Sequence, residues 1–268
     1  MTDFIQDIKD ILFKKEYAYI ELLRKDLAEE MNNCVEYEKK IKELETAISR
    51  QMGMISDSKQ EIERLEAELD KLNENPLEEK LNSKYTKKPV KYTCRYINGK
   101  AYDLDVRNFF VNPNIDELKR IVKDFTGTDE DKAYDCFKWI RSNIKYEYDS
   151  QTYGVNEHWD YPHEVLELGK ADCEGQSILL ANLMIACGIP YYKVRLVCGW
   201  ATRTDGTKAG HCYLVMYIES KDRWVALDTT FYPKTTRPEN REDYKKSKIY
   251  GGEDSIWWSF SSRYCFQE

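Results

Sequence analysis

The sequence predicts an α+β domain, helices packed on an antiparallel sheet, behind a long α-helical coiled coil. Three observations predict it. Apolar residues recur at alternating spacings of three and four from Ile41 to Leu72. The composition changes near Pro76: all seven prolines and all six tryptophans lie from there on, and the residues before hold no proline and a single glycine, Gly53. Beyond that boundary a hairpin and patterns of helical period come first, and runs of strand type follow. The expected division is a helical segment over 1–75 and a globular domain over 76–268.

In the first segment Ile41, Ile48, Ile55, Ile62 and Leu69 occupy one core position of a heptad. Leu44, Gln51, Ser58, Leu65 and Leu72 occupy the other. A sustained repeat of 3.5 residues means a left-handed coiled coil. The pattern runs back less cleanly through Tyr37, Cys34, Leu27, Leu23 and Ile20, so residues 20–72 are expected to pair with another copy or with a partner helix. Gln51 and Ser58 interrupt the seam on either side of Gly53, and a helical hairpin through Met52–Ser58 is the alternative. The phase survives the interruption, which favours the continuous helix. The amphipathic stretch Phe4, Ile8, Ile11, Phe13 lies off the frame.

The globular domain opens with strands at Val90–Ile97 and Lys100–Val106 around Asn98-Gly99, a pair suited to a type I′ turn. Asn114 with Glu117 has the form of a capping box before a helix over Ile115–Phe125. Thr128 caps a second helix, Asp129–Ile144, whose acids sit in the first turn and whose Ala133, Phe137, Ile140 and Ile144 form an apolar stripe. Pro162 begins a short helix that stops at Gly169. An apolar helix follows from near Cys173 to Ala186, ended by Gly188 and Pro190. Strands are expected at Tyr191–Val197, His211–Ile218 and Trp224–Leu227, then a loop over Lys234–Asn240. The stretch Ile256–Phe266 is expected as one last strand.

The net charge of −7 argues against a nucleic-acid partner, which calls for a basic face. No apolar run reaches the length of about 18 residues that a membrane span needs. The N-terminus shows no Sec-type signal. The eight cysteines are scattered without a CxxC pair, so neither a disulfide framework nor a metal site is expected, and the compartment reads as reducing, cytoplasmic or within a large assembly. No cofactor is expected.

The chemistry concentrates in Leu168-Gly169-Lys170-Ala171-Asp172-Cys173-Glu174-Gly175-Gln176. Cys173 stands where a turn ends and an apolar helix begins. Free N–H groups and the helix dipole favour an anion there, so its pKa is expected to fall. His211 follows Lys208-Ala209-Gly210, read as a flexible approach, and starts a strand; Asp228 ends the next. A thiol, an imidazole and a carboxylate at element ends can act as nucleophile, general base and orienter. His158 and His163 are expected in loops or at the surface. Asp172 is expected to orient the loop, and Trp257 and Trp258 to serve as core or cleft wall.

These residues resemble the transglutaminase-like superfamily. The likeness is carried by Gly169–Glu174, Gly188-Ile189-Pro190, Gly210-His211 and Trp224–Thr230 in that order. Upstream, Phe137–Ile140, Ile144-Lys145-Tyr146 and Tyr161–Leu166 add to it, so that it covers about Asp129–Pro233. It implies a papain-like core in which Cys173, His211 and Asp228 form the triad. The chain departs from the family at Ala171, where glycine is common, at Tyr213, where tryptophan is common, and at Thr229, where proline is common. The oxyanion donor implied by the family is an upstream side chain; Trp159 is the candidate, with Tyr153 or Asn156 as substitutes. The expected activity is that of a cysteine peptidase, a thiol hydrolase acting on a protein or peptide substrate. Transamidation by the same triad is the alternative. A different class, an assembly protein whose coiled coil is the working part, is the other.

Overall fold

The computed structural model describes residues 75–267 apart from 89, 98–99, 232–234 and 251–254, together with residues 21, 24–25, 36–37, 39–43 and 64. The chain divides into two units, Met1–Glu74 and Asn75–Glu268. In the first, the described residues are helical, and Tyr37 and Ile41 are exposed. The remainder of the heptad, the alternative hairpin at 52–58 and the helix before Ile20 lie outside the described residues. No described helix is long and apolar enough to cross a membrane.

The second unit is α+β. It begins with α1 (Pro76–Asn82), capped by the Asn75 side chain, and a hairpin of β1 (Lys91–Ile97) and β2 (Lys100–Asp105). The hairpin register shifts between Thr93 and Arg95, which turns Cys94 into the core. The turn residues Asn98-Gly99 lie outside the described residues. Next comes α2 (Asp116–Val122), four residues shorter than the pattern predicts. Its N-cap is Ile115, with no side-chain cap bond, because Asn112 instead turns the preceding loop by accepting from the Asn114 N–H. The expected capping box at Asn114 does not form. Helix α3 (Asp129–Asn143) does have one: Thr128 accepts from the Asp131 N–H, and the Asp131 carboxylate accepts from the Thr128 N–H. Its predicted stripe, Ala133, Phe137, Ile140 and Ile144, is buried.

A short parallel pair follows, β3 (Lys145–Tyr146) with β4 (Lys170–Ala171), enclosing α4 (Asp149–Thr152) and α5 (Pro162–Leu168). Gly169, at φ +67°, ends α5 in the left-handed region that glycine adopts without a Cβ clash. Helix α6 (Cys173–Ala186) is apolar on nearly all sides. Its buried Asn182 is fully engaged, donating to the Phe109 and Ile178 carbonyls and accepting from the Val111 N–H.

Helix α6 packs on a five-stranded sheet of order β7-β6-β5-β8-β9, all antiparallel. The strands are β5 (Val194–Thr202), β6 (Lys208–Ile218), β7 (Arg223–Leu227), β8 (Ile256–Phe260) and β9 (Cys265–Gln267). Residues of alternating parity face opposite sides. Val194, Leu196, Cys212, Leu214, Met216, Val225 and Leu227 join the core that holds α6. Val197, Tyr213, Val215 and Ala226 face a second cluster closed by Tyr244, Tyr250 and Ile256. Three strand expectations change. Tyr191–Lys193 is a 3-10 turn, and β5 runs on to Thr202. Lys208-Ala209-Gly210 is strand rather than a flexible approach, since it pairs with Thr202, Ala201 and Trp200. The last aromatic stretch is a hairpin of two strands, β8 and β9.

Gly199 sits where the β5–β8 register shifts, and the backbones meet closely there. A Cβ on Gly199 would lie 2.2 Å from the Ser255 carbonyl oxygen and 3.1 Å from Ile256 Cα. Neither is the free end of a side chain, so neither yields easily. Gly199→Ala is expected to cost about 3 kcal/mol of stability. A urea titration should show the midpoint fall with the slope unchanged.

Candidate active site

The parallel pair β3–β4 brings the chain to the start of α6: the Glu147 N–H donates to the Ala171 carbonyl. Asp172 is the N-cap residue and Cys173 the first helical one. The buried underside of α6 fixes where that first turn stands. His211 lies on β6 opposite Gly199, and Asp228 follows directly on β7, which pairs with β6. Adjacent antiparallel strands thus set imidazole and carboxylate side by side.

His211 Nε2 lies 2.8 Å from Asp228 Oδ2, and both side chains are buried, at 5% and 1% exposure. Asp228 is held from every direction. Its Oδ1 accepts from the Thr230 N–H, the Thr230 hydroxyl and the Phe231 N–H; its Oδ2 also accepts from the Tyr250 hydroxyl at 3.2 Å. Burial pushes the Asp228 carboxyl up, but the His211 charge and these hydrogen bonds outweigh it and hold the carboxyl below its ordinary value. An ionised carboxylate only accepts, so the proton of the 2.8 Å bond belongs to Nε2. The ring stacks on Tyr213 and meets Phe231 at a tilt.

Cys173 is half-buried and lines a cavity of about 350 Å³ together with His211. Its thiol donates to Glu174 Oε2 at 3.1 Å, and among the described residues no hydrogen bond joins it to His211. Burial pushes the thiol well above its ordinary value, and the carboxylates of Glu174 and Asp172 push the same way; the Cys212 N–H pulls down by less. This corrects the expectation of a lowered pKa. The helix N-terminus is present, but two adjacent acids and a low-dielectric surround oppose it.

Trp159 is buried at the same cavity, but its indole N–H donates to Glu157 Oε1 at 2.7 Å and its ring stacks on Trp258. Asn156 lines the cavity; the Tyr153 hydroxyl is committed to Asp160. His158 is not a surface residue. It is buried against Tyr153, and its backbone N–H donates to Asp149. His163 is exposed on α5. Trp258 is core, whereas Trp257 is part exposed and lines the cavity.

Sequence reasoning gave no role to Tyr250, Glu174 or Glu157. Tyr250 follows an irregular stretch with no period to betray it, and Glu174 lay in view inside the quoted motif. The ligand atoms of Asp172, Cys173 and Glu174 lie within 4.8 Å of one another. Two carboxylates and a thiol make three donors, one short of the four of a closed structural zinc set.

Residues 117–229 match the family model of the transglutaminase-like superfamily. Among solved structures, calcium-bound LapG from Legionella pneumophila is similar at 16% identity over 57% of this chain and 86% of that one, with a TM-score of 0.38. EGTA-treated LapG from the same organism is similar at 17% identity over 57% and 84%, with a TM-score of 0.36. A TGase is similar at 16% identity over 66% and 54%, with a TM-score of 0.32. No curated protein matches by sequence.

Behind the cavity, burial and the neighbouring Asp172 push the Asp149 carboxyl up to about 8. A carboxyl protonated in the fold and ionised in the unfolded chain makes the fold bind the extra proton. Stability from this group is therefore full below the ordinary carboxyl value of 3.8 and is lost as pH rises toward about 8. Chemical denaturation at pH 5 and pH 8 should show a drop across that interval that Asp149→Asn flattens.

Proposed function

We propose that the protein, whose residues 117–229 match the family model of the transglutaminase-like superfamily, is a thiol hydrolase cleaving an amide, foremost a peptide bond, through an acyl-enzyme on Cys173. The observation that carries the proposal is the buried, fully engaged His211–Asp228 pair on the wall of the cavity that Cys173 lines.

With Nε2 held by Asp228, Nδ1 is the nitrogen left to take the thiol proton. The thiolate attacks the carbonyl carbon. The C=O electron pair moves to oxygen, near the positive end of the α6 dipole. The imidazolium then returns its proton to the leaving amine as the C–N bond breaks, leaving a thioester. Water, deprotonated by the same imidazole, attacks the thioester and releases a carboxylic acid and the thiol. An amine in place of water gives transamidation with the same groups. The Cys173–Glu174 contact favours one further reading, a domain whose thiol is held at rest and which serves assembly.

Capture of the acyl-enzyme separates these readings. The protein is incubated with a proteome-derived peptide library and hydroxylamine, and hydroxamates and new carboxyl ends are read by mass spectrometry. Products are expected from the native chain and should fall by about three orders of magnitude or more in Cys173→Ala and in His211→Ala. Turnover that survives Cys173→Ala overturns the proposal. In Asp228→Asn the loss should be about 100-fold or greater, because the imidazole is then no longer held in one tautomer. Added amine that diverts the products at low concentration identifies the transamidase.

A further inference from the structure

The cavity around Cys173 is one-sided in charge. Three carboxylates line it, Glu157, Asp172 and Glu174, and among the described residues no lysine or arginine does. Much of the remaining wall is aromatic. Tyr146 and Tyr148 are 41% and 58% exposed and meet edge to face with centroids 5.2 Å apart. Trp257 is 41% exposed and meets Trp200, 40% exposed, edge to face at 4.9 Å.

These rings are held outward by the backbone. On β8, Trp257 points out while Ile256 and Trp258 are buried on either side of it. A Cβ on Gly210 would come within 3.0 Å of the Trp257 indole, so the glycine next to His211 leaves room for that ring. Exposed rings gathered in two touching pairs at the mouth of a cleft form a patch rather than scattered single residues, and such patches mark binding surfaces.

The acids have neutral partners but no cationic one: Glu157 accepts from the Trp159 indole, Glu174 accepts from the Cys173 thiol, and Asp172 and Glu174 bond each other. Burial, then Asp172 and Glu157, push Glu174 well above its ordinary value, and burial pushes Asp172 up to about 6. Acids that raise one another are relieved when a cation enters. A neutral apolar ligand would use the rings and leave the carboxylates unanswered. An anion would be repelled. A cationic side chain answers both, through the ring faces and through charge.

We propose that the cleft takes a polypeptide with a lysine or arginine side chain next to the amide presented to Cys173, the cation lying against Tyr146, Tyr148 and Trp257 and over the carboxylates of Glu157, Asp172 and Glu174. This rests on the reading of Cys173 as the nucleophile and narrows its substrates from amides at large to basic peptides.

Methanethiosulfonates that differ in charge test it without requiring turnover. The full chain is treated with the trimethylammonium-ethyl, sulfonato-ethyl and methyl reagents, and modification of Cys173 is timed by peptide mapping. The cationic-to-anionic rate ratio, divided by the same ratio for 2-mercaptoethanol, is expected to be about tenfold or more. It should fall severalfold in Tyr148→Ala and in Trp257→Ala, both at exposed positions, and in Glu157→Gln. A normalised ratio of one or below in the native chain overturns the proposal, as does a ratio untouched by all three substitutions. Absence of both hydroxamates and new carboxyl ends would sink the hydrolase reading, while the charge ratio still decides this one.

Discussion

A helix that is apolar all round must be covered all round, and α6 imposes that demand on the whole domain. Twelve of its fourteen residues are buried. Burying one Leu, Ile or Met side chain is worth about 1.5–3 kcal/mol, and Ile178, Leu179, Leu180, Leu183 and Met184 are all fully buried. The sheet covers one side of the helix; α2, α3 and α5 cover the others. The first turn of α6 therefore has no freedom to shift, and Ser177, one turn in, donates to the Cys212 carbonyl on β6. The position of Cys173 beside His211 is thus a by-product of core packing. Side chains set on rigid elements are placed more precisely than side chains set on loops.

The second face of the sheet serves the other half of the site. Val197, Tyr213, Val215 and Ala226 would be exposed there were it not for Tyr244, Tyr250 and Ile256. Tyr250 does two things at once. Its ring stacks on Tyr213 at 4.3 Å, and its hydroxyl reaches Asp228. A segment that closes an apolar cluster thereby supplies a hydrogen bond to a buried carboxylate. Ionised carboxylates are tolerated inside proteins only when their lone pairs are filled, and Asp228 meets that condition through four residues.

Much of this architecture was legible in the sequence because it is written in period and punctuation. Thr128 with its acids, Pro162 with Gly169, and Gly188 with Pro190 mark ends that the structure keeps. What was not legible was set by tertiary contact. Asn114 has the spacing of a cap, yet Asn112 engages its backbone N–H and the helix starts on Ile115. Lys208-Ala209-Gly210 carries no strand propensity and becomes strand because β5 pairs with it. His158 lies in a loop as expected, yet it is buried there, with its backbone N–H held by Asp149. The site divides in the same way. Cys173, His211 and Asp228 were visible as residue types at element ends, whereas Tyr250 reaches Asp228 from an aperiodic segment. Glu157, two residues before the Trp159 that it engages, shows its role only in three dimensions.

The electrostatics of Cys173 turn on magnitudes that sequence alone does not weigh. A helix N-terminus stabilises an anion by about 0.3–1 kcal/mol at an exposed site and about 2 kcal/mol in a favourable buried one. A unit negative charge about 4 Å away costs about 4 kcal/mol at the effective dielectric of a protein surface. Burial weighs heaviest on the thiol, the Asp172 carboxylate lies within 4.8 Å of it, and the thiol is tied to the Glu174 carboxyl at 3.1 Å. The dipole therefore loses, and the resting thiol keeps its proton. Under the proposed reading, Cys173 becomes competent as a nucleophile only when positive charge arrives to offset burial and the acids. His211 can supply it from within once protonated, and Asp228 is built to sustain that charge. A cation brought by the substrate would act on Glu174 and Asp172 directly, easing the thiol toward thiolate as the amide is presented. Binding and activation would then be one electrostatic event, and the carboxylates that suppress the free thiol would be the groups that make its reactivity depend on the right substrate.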